Sequence, residues 1–228
     1  MKKAILSFFI LGGAILSANT VSVKFVSANP VVTVPGEGGD AGPYTLNVNG
    51  QLVLAMCMDD FLNVSNNTWT ANVTAVNSSN LSNTILSNQT VSYNGHTLTS
   101  SQTYGMEAYL FSELIQPNAD RGDLQLAAWA LMDSSTMYDV FHDHHSYDTT
   151  AQNDLAGAYN AILNPNSGFN PGNYEILTDT VKYGSQEFIV AAPEPSTYLL
   201  LGTGLLLAGA IRFSRRKKGD VVSCAAGC

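Results

Sequence analysis

The chain of 228 residues changes its hydrophobic rhythm along its length. Residues 4–16 are almost continuously apolar, broken by Ser7 and two glycines, with no polar face to give them an amphipathic period. Further on, the pattern shortens to period two. Tyr44–Val48 and Gln51–Cys57 flank Asn49-Gly50, a pair that type I′ hairpin turns favour. Trp69, Ala71, Val73 and Ala75 alternate with Thr70, Asn72 and Thr74, which predicts a strand with one apolar face. Asn94-Gly95 between Val91–Tyr93 and His96–Leu98 predicts a second hairpin.

The middle of the chain takes a helical period. Residues 104–116 place Met106, Tyr109, Leu110, Leu114 and Ile115 on one stripe, and Pro117 stops the helix. Asp123 is the expected cap of residues 124–132, which are apolar everywhere except Gln125. A helix without a polar face is a buried one. Thr149 with Gln152 forms a capping-box pattern ahead of Leu155, Ala158, Tyr159, Ile162 and Leu163, and Asn164-Pro165 ends this third helix. Residues 174–181 and 187–191 return to strand. The expected fold class is α+β: a β-rich domain with a helical insertion of about three helices.

Composition narrows the function classes. Charged residues make up 12% of the chain and hydrophobic ones 45%, which excludes a disordered acidic tail, a coiled coil and a nucleic-acid binder with a basic face. The net charge of −8 hides a segregation, because eight of the ten Lys and Arg residues lie at the ends: Lys2, Lys3, Lys24, Arg212, Arg215, Arg216, Lys217 and Lys218. Between positions 29 and 192, Arg121 and Lys182 stand against sixteen acids, a net charge of −14. Such a domain repels polyanions, so neutral glycans, cations and amine-bearing surfaces are the partner classes it leaves.

The two ends read as addresses. Lys2-Lys3 followed by the apolar run is a secretory signal peptide, hence a substrate of the Sec export machinery. Cleavage fits after Ala18 or after Ala28, where Val26-Ser27-Ala28 has the better small-residue pattern; we take 1–28 as the signal peptide and 29–192 as the exported domain. At the other end stand Pro193-Glu194-Pro195, an apolar run over residues 198–211, and the basic cluster Arg212, Arg215, Arg216, Lys217 and Lys218. The prolines hold the backbone extended for a protease. The apolar run partitions into lipid and the cluster stays on the cytoplasmic side as a membrane stop. Fourteen residues fall short of the roughly 20 a span needs, and Ser196, Thr197 and a snorkelling Arg212 extend it.

This tripartite end resembles the PEP-CTERM sorting signal of Gram-negative bacteria. The resemblance implies recognition by exosortase, a membrane protease-transpeptidase. It also implies anchoring in the inner membrane by the C-terminal helix before processing, then residence in the cell envelope or outside the cell. The signal spans 193–218. Beyond it, residues 219–228 form a short cytoplasmic tail whose Cys224 and Cys228 are expected as thiols in a reducing compartment. Six Asn-x-Ser/Thr sequons, at Asn63, Asn66, Asn72, Asn77, Asn80 and Asn88, read in a bacterium as polar strand faces and loops.

Within the exported part Cys57 is a lone cysteine: a buried thiol, an intermolecular half-cystine or a reactive group. Gln125 is the other residue of chemical interest, because an amide on an apolar helix must find partners for two donors and an acceptor. Ordinary hydrogen bonding is one solution. Another is an internal thioester, in which a cysteine sulfur displaces the side-chain ammonia. Leu124-Gln125-Leu126-Ala127-Ala128-Trp129 resembles the Gln-x-Ala-x-Trp core of the thioester domains of bacterial surface adhesins, known chiefly from Gram-positive surfaces. Those domains usually carry Thr before the glutamine, where this chain has Leu124, and often an aromatic residue or Leu before the cysteine, where it has Met56. The resemblance implies a Cys57–Gln125 crosslink that captures an amine-bearing protein or a surface glycan, with Trp129 and Phe61 excluding water.

Other constellations offer different chemistry. Residues 139–145 hold His142, His144, His145 and two carboxylates, a set in which Asp139, His142 and His144 suit zinc or nickel. Asp59-Asp60 could offer oxygen ligands to calcium, or close a strand by bonding nearby backbone. Ser134-Ser135 with Asp139 and His142 lacks the frame of a hydrolase elbow. No phosphate-cradling glycine loop appears and no cofactor is expected. The expected function is non-enzymatic: an exosortase-sorted structural or adhesive protein of the envelope or extracellular matrix, with or without the thioester. A secreted metal-binding protein or hydrolase built on residues 142–145 is the alternative.

Overall fold

A computed structural model describes residues 20–28, 32–34, 39–60, 62, 67–87, 89–142, 145–181 and 184–192. The apolar leader, the sorting signal and the tail lie outside them, so the expected C-terminal helix is not among the described elements.

The strands are β1 (Thr20–Ala28), β2 (Val32–Thr33), β3 (Asp40–Ala41), β4 (Tyr44–Val48), β5 (Gln51–Cys57), β6 (Trp69–Ala75), β7 (Val91–Tyr93) and β8 (His96–Leu98). Four helices follow: α1 (Ser100–Leu114), α2 (Arg121–Met132), α3 (Ser134–His142) and α4 (Ser146–Leu163). A 3₁₀ turn at Pro171–Asn173 then leads into β9 (Tyr174–Asp179) and β10 (Phe188–Ala191). The fold class is α+β, with the helices inserted between two groups of strands.

Six strands close a barrel in the order β1-β4-β5-β10-β9-β6, every neighbouring pair antiparallel. Alternation along each strand divides the core in two. Val23, Tyr44, Leu46, Ala55, Cys57, Trp69, Ala71, Leu177, Phe188 and Val190 fill the barrel. Met56, Met58, Ile176 and Ile189, one position out of phase, face the other way and pack under the helices. Aromatic rings plug the interior: Phe188 meets Tyr44 nearly edge-on at 6.0 Å between centroids and Trp69 at 6.1 Å.

Helix α2 lies at the centre of the helical layer, against α1, α3, α4 and β5. Every residue from Gly122 to Met132 is buried, as its unbroken apolar run predicts. The two Asn-Gly turns also form as expected, with positive φ at both residues of each: 50° and 90° at Asn49 and Gly50, 49° and 74° at Asn94 and Gly95.

The structure corrects several expectations. Thr20–Ala28, counted above with the signal peptide, is β1, a full barrel strand between β4 and β6 with Val23 wholly buried. Val32–Thr33 and Asp40–Ala41 form the small β2–β3 pair. The helical insertion of about three helices comprises four, because residues 134–142, which no helical pattern marked in the sequence, form α3 on the apolar anchor of Val140 and Met137. Helix α2 starts three residues early, with Asp120 at the N-cap and Asp123 buried in the first turn. Helix α4 starts after His145, whose backbone N–H donates to Asp148 Oδ2 at 2.6 Å; Gln152 instead donates to the Val140 carbonyl at 2.6 Å.

Candidate functional site

Cys57 is the last residue of β5, opposite Phe188 of β10. Its thiol donates to the Asp59 carbonyl at 2.8 Å. Gln125, on the face of α2 turned to β5, donates from Nε2 to the main-chain carbonyl of Cys57 at 2.5 Å. Both residues are fully buried. The Gln125 carbonyl oxygen Oε1 has no hydrogen-bond partner among the described residues, and such an orphaned acceptor costs on the order of 1 to 3 kcal/mol.

Trp129 lies one helical turn beyond Gln125, on the same face. Its indole N–H approaches the Cys57 sulfur and draws the thiol pKa down, but completes no hydrogen bond with a described residue. On its other side the indole is sealed by Gly39, where a Cβ would sit 2.5 Å from the ring atom Cη2. The Gly39 carbonyl accepts from Val34 N–H at 2.7 Å. Burial pushes the Cys57 thiol well up, and a charge on the nearby Asp59 adds to the rise. The sulfur is therefore a neutral thiol, and a nucleophile only with a base to take its proton.

Three buried carboxyls gather where α1 packs on the end of β5 and the start of β10. Glu187, just before β10, accepts from Tyr104 Oη at 2.6 Å, from Ile85 N–H at 3.1 Å and from the Thr178 hydroxyl. Asp59 accepts from Glu187 N–H at 2.7 Å and Leu62 N–H at 3.2 Å. Glu107, fully buried on α1, has no partner for either oxygen among the described residues. Burial raises Asp59 to about 7, with the neighbouring Glu187 charge adding and the backbone donors opposing. Burial likewise raises Glu187 to about 7 against its three donors. Glu107, desolvated and facing both other carboxyls with no donor, is pushed well above the usual carboxylate range. It is a neutral acid in the core.

Of the residues singled out by sequence, Cys57, Gln125 and Trp129 are brought together, while Phe61 lies outside the described residues. His142 and Asp139 are exposed on α3, where His142 stacks flat on Tyr138 at 3.9 Å and its Nδ1 contacts the Tyr138 carbonyl at 2.8 Å. His144 lies outside the described residues, and among those described no group of three His, Cys, Asp or Glu side chains is placed to hold a metal. Asp59 closes its strand by bonding backbone, the second of the two readings given above. Pro193, Glu194, Pro195, Arg212, Arg215, Arg216, Lys217 and Lys218 all lie outside the described residues.

The sequence reading missed Glu107 and Glu187. The signal available was spacing: Tyr104, Glu107, Ala108 and Phe111 form a buried stripe with a carboxyl inside it.

No curated protein matches the chain. Among solved structures it is similar to the N-terminal thioester domain of the fibronectin-binding protein SfbI from Streptococcus pyogenes, with TM-score 0.43 and 12% identity over 78% of this chain and 94% of that one. It is also similar to the N-terminal domain of the Streptococcus pyogenes pilus tip adhesin Cpa, with TM-score 0.41 and 15% identity over 78% and 96%. Among the described residues no helix is long and apolar enough to cross a membrane. Residues 191–217 match the PEP-CTERM protein-sorting motif, so the chain carries the signal of an exported, envelope-directed protein that exosortase processes.

Proposed function

We propose that the exported domain is a non-enzymatic adhesive or structural module of the envelope or extracellular matrix, in which Cys57 and Gln125 close into an internal thioester that captures an amine-bearing partner. The observation that carries this reading is the contact of Gln125 Nε2 with the Cys57 carbonyl at 2.5 Å, which joins two fully buried residues 68 positions apart. In closing, Sγ attacks the side-chain carbonyl carbon of Gln125, the carbon–nitrogen bond breaks and ammonia leaves. Closure exchanges a buried amide for a group with no N–H to satisfy.

Capture reverses the roles. A primary amine attacks the acyl carbon, Cys57 departs as a thiol, and the partner is left joined to Gln125 through an amide. Trp129 and the sealing Gly39 loop keep water from the acyl group until a partner docks. The module reacts once and does not turn over. Extending the domain to β1 adds Lys24 and leaves a net charge of −13 over residues 20–192, which draws ammonium-bearing surfaces such as exposed lysines and repels polyanions.

In the same reading the Sec machinery exports the chain and signal cleavage falls after Ala18, which preserves β1. The C-terminal helix then holds the chain in the inner membrane until exosortase acts at Pro193-Glu194-Pro195. Incubation with a fluorescent primary amine tests the capture step: the wild-type chain is labelled at Gln125 in a peptide map, while Cys57→Ala is not. Equal labelling of the two would contradict the thioester.

A further inference from the structure

Of the three carboxyls between α1 and the barrel wall, two have evident structural work. Asp59 ties the end of β5 to the start of β10 through the Glu187 N–H, and Glu187 collects donors from α1, β9 and the residue 85 turn. Glu107 does neither. It is fully buried, and neither of its oxygens is bonded among the described residues. Tyr104 and Glu107 stand three apart on α1 and so share the helix face turned to Glu187. Helix α1 packs on β5, β10 and α2, the elements that carry Cys57, its partner Phe188 and Gln125. Glu107 is near enough to Cys57 that ionising it would push the thiol pKa further up.

On the elements packed against α1 stand two groups the reaction would use: the Gln125 amide, whose Oε1 has no partner among the described residues, and the Cys57 thiol, which donates to a backbone carbonyl. A buried acid with no bonding partner among the described residues, on a helix packed against the elements that carry a thiol that must lose a proton and an amide nitrogen that must gain one, is suited to a proton relay.

We infer that Glu107 is the group that moves the proton when the thioester closes, an inference that rests on the Cys57–Gln125 reading. Its O–H delivers a proton to the amide nitrogen of Gln125 while its other oxygen takes the proton of Cys57 Sγ. The sulfur–carbon bond forms, the carbon–nitrogen bond breaks, the proton that Glu107 held leaves on ammonia, and the thiol proton takes its place on the carboxyl. Glu107 ends protonated as it began, and no other reactant enters. Both halves are needed. A neutral thiol is a poor nucleophile, and an amide nitrogen departs only when protonated. By microscopic reversibility the same carboxyl takes a proton from the attacking amine during capture and returns one to Sγ.

Glu107→Gln and Glu107→Met in the full-length chain test the relay. The first keeps shape and polarity without an exchangeable acid; the second removes the orphaned carboxyl altogether. The extent of closure is read by intact mass over time after purification, with the Cys57 thiol titrated after denaturation and the fold followed by circular dichroism. The wild-type chain is expected to be closed, and both variants to fold while closing more slowly by roughly a hundredfold or more. Glu107→Met is expected to melt no lower than wild type. Closure of both variants at the wild-type rate would overturn the relay and leave the thioester standing. Failure of both to fold would also overturn it, by giving Glu107 a structural role. An unclosed wild-type chain would remove the thioester itself, and the relay with it.

Discussion

The phenol of Tyr104 donates to Glu187 Oε2 at 2.6 Å, joining the first helix to the strand that pairs with the Cys57 strand. The same phenol oxygen accepts the Leu86 N–H at 3.0 Å, so one side chain links helix, turn and barrel. Tyr104→Phe leaves the buried Glu187 carboxyl short of a donor and the Leu86 N–H without its acceptor. A loss of about 2 to 3 kcal/mol in unfolding free energy is expected, read from urea denaturation of wild type and variant. A loss below the error of the extrapolation would contradict the linkage.

Asp59, Glu187 and Glu107 hold protons in the folded state that the unfolded chain releases at ordinary carboxylate pKa values. Between about pH 4 and pH 7 the folded state therefore binds more protons than the unfolded one, and stability falls as pH rises through that window. Melting followed by circular dichroism is expected to give a higher Tm at pH 5 than at pH 7.5. A Tm that rises over the same interval would show that these carboxyls are ionised in the fold.

Gly39 is fixed by contact, since any Cβ there would collide with the Trp129 ring at 2.5 Å. Gly39→Ala must displace either the indole or the loop, an overpacking cost of about 1 to 3 kcal/mol. Because Trp129 shields the Cys57–Gln125 contact, amine labelling or hydrolysis at Gln125 should also be faster in this variant. An unchanged melting temperature with an unchanged hydrolysis rate would separate Gly39 from the site.

β1 supplies Val23 to the barrel core and pairs on both sides, so the proposed cleavage after Ala18 predicts that the mature protein retains it. N-terminal sequencing of the exported chain is expected to begin at Asn19. A chain engineered to begin at Asn29 is expected to remain unfolded by circular dichroism, and a folded one would contradict the barrel assignment.

These strands and helices differ in how openly the sequence displays them. The β4–β5 and β7–β8 hairpins were legible because each turn carries its own Asn-Gly signal, and α2 because its apolar run admits one polar residue. β1 was hidden by its position: Thr20 to Ala28 alternates clearly, yet it follows the leader so closely that the small residues at its end read as a cleavage site. α3 was hidden by composition, since Tyr138, Asp139 and His142 on its outer face gave the look of a hydrated loop. Cys57 and Gln125 were each visible as chemical oddities. Glu107 was not, because an acid on a helix is ordinarily solvated, and only packing against the barrel wall shows that this one is buried and without a bonding partner among the described residues.

The account turns on whether Cys57 and Gln125 are joined, and the intact mass of the purified wild-type chain tests this most directly. The account predicts a mass about 17 Da below that of the processed sequence, since closing the bond releases ammonia, with no titratable Cys57 thiol and full mass in Cys57→Ala. A folded wild-type chain of unmodified mass with a free Cys57 thiol would contradict it.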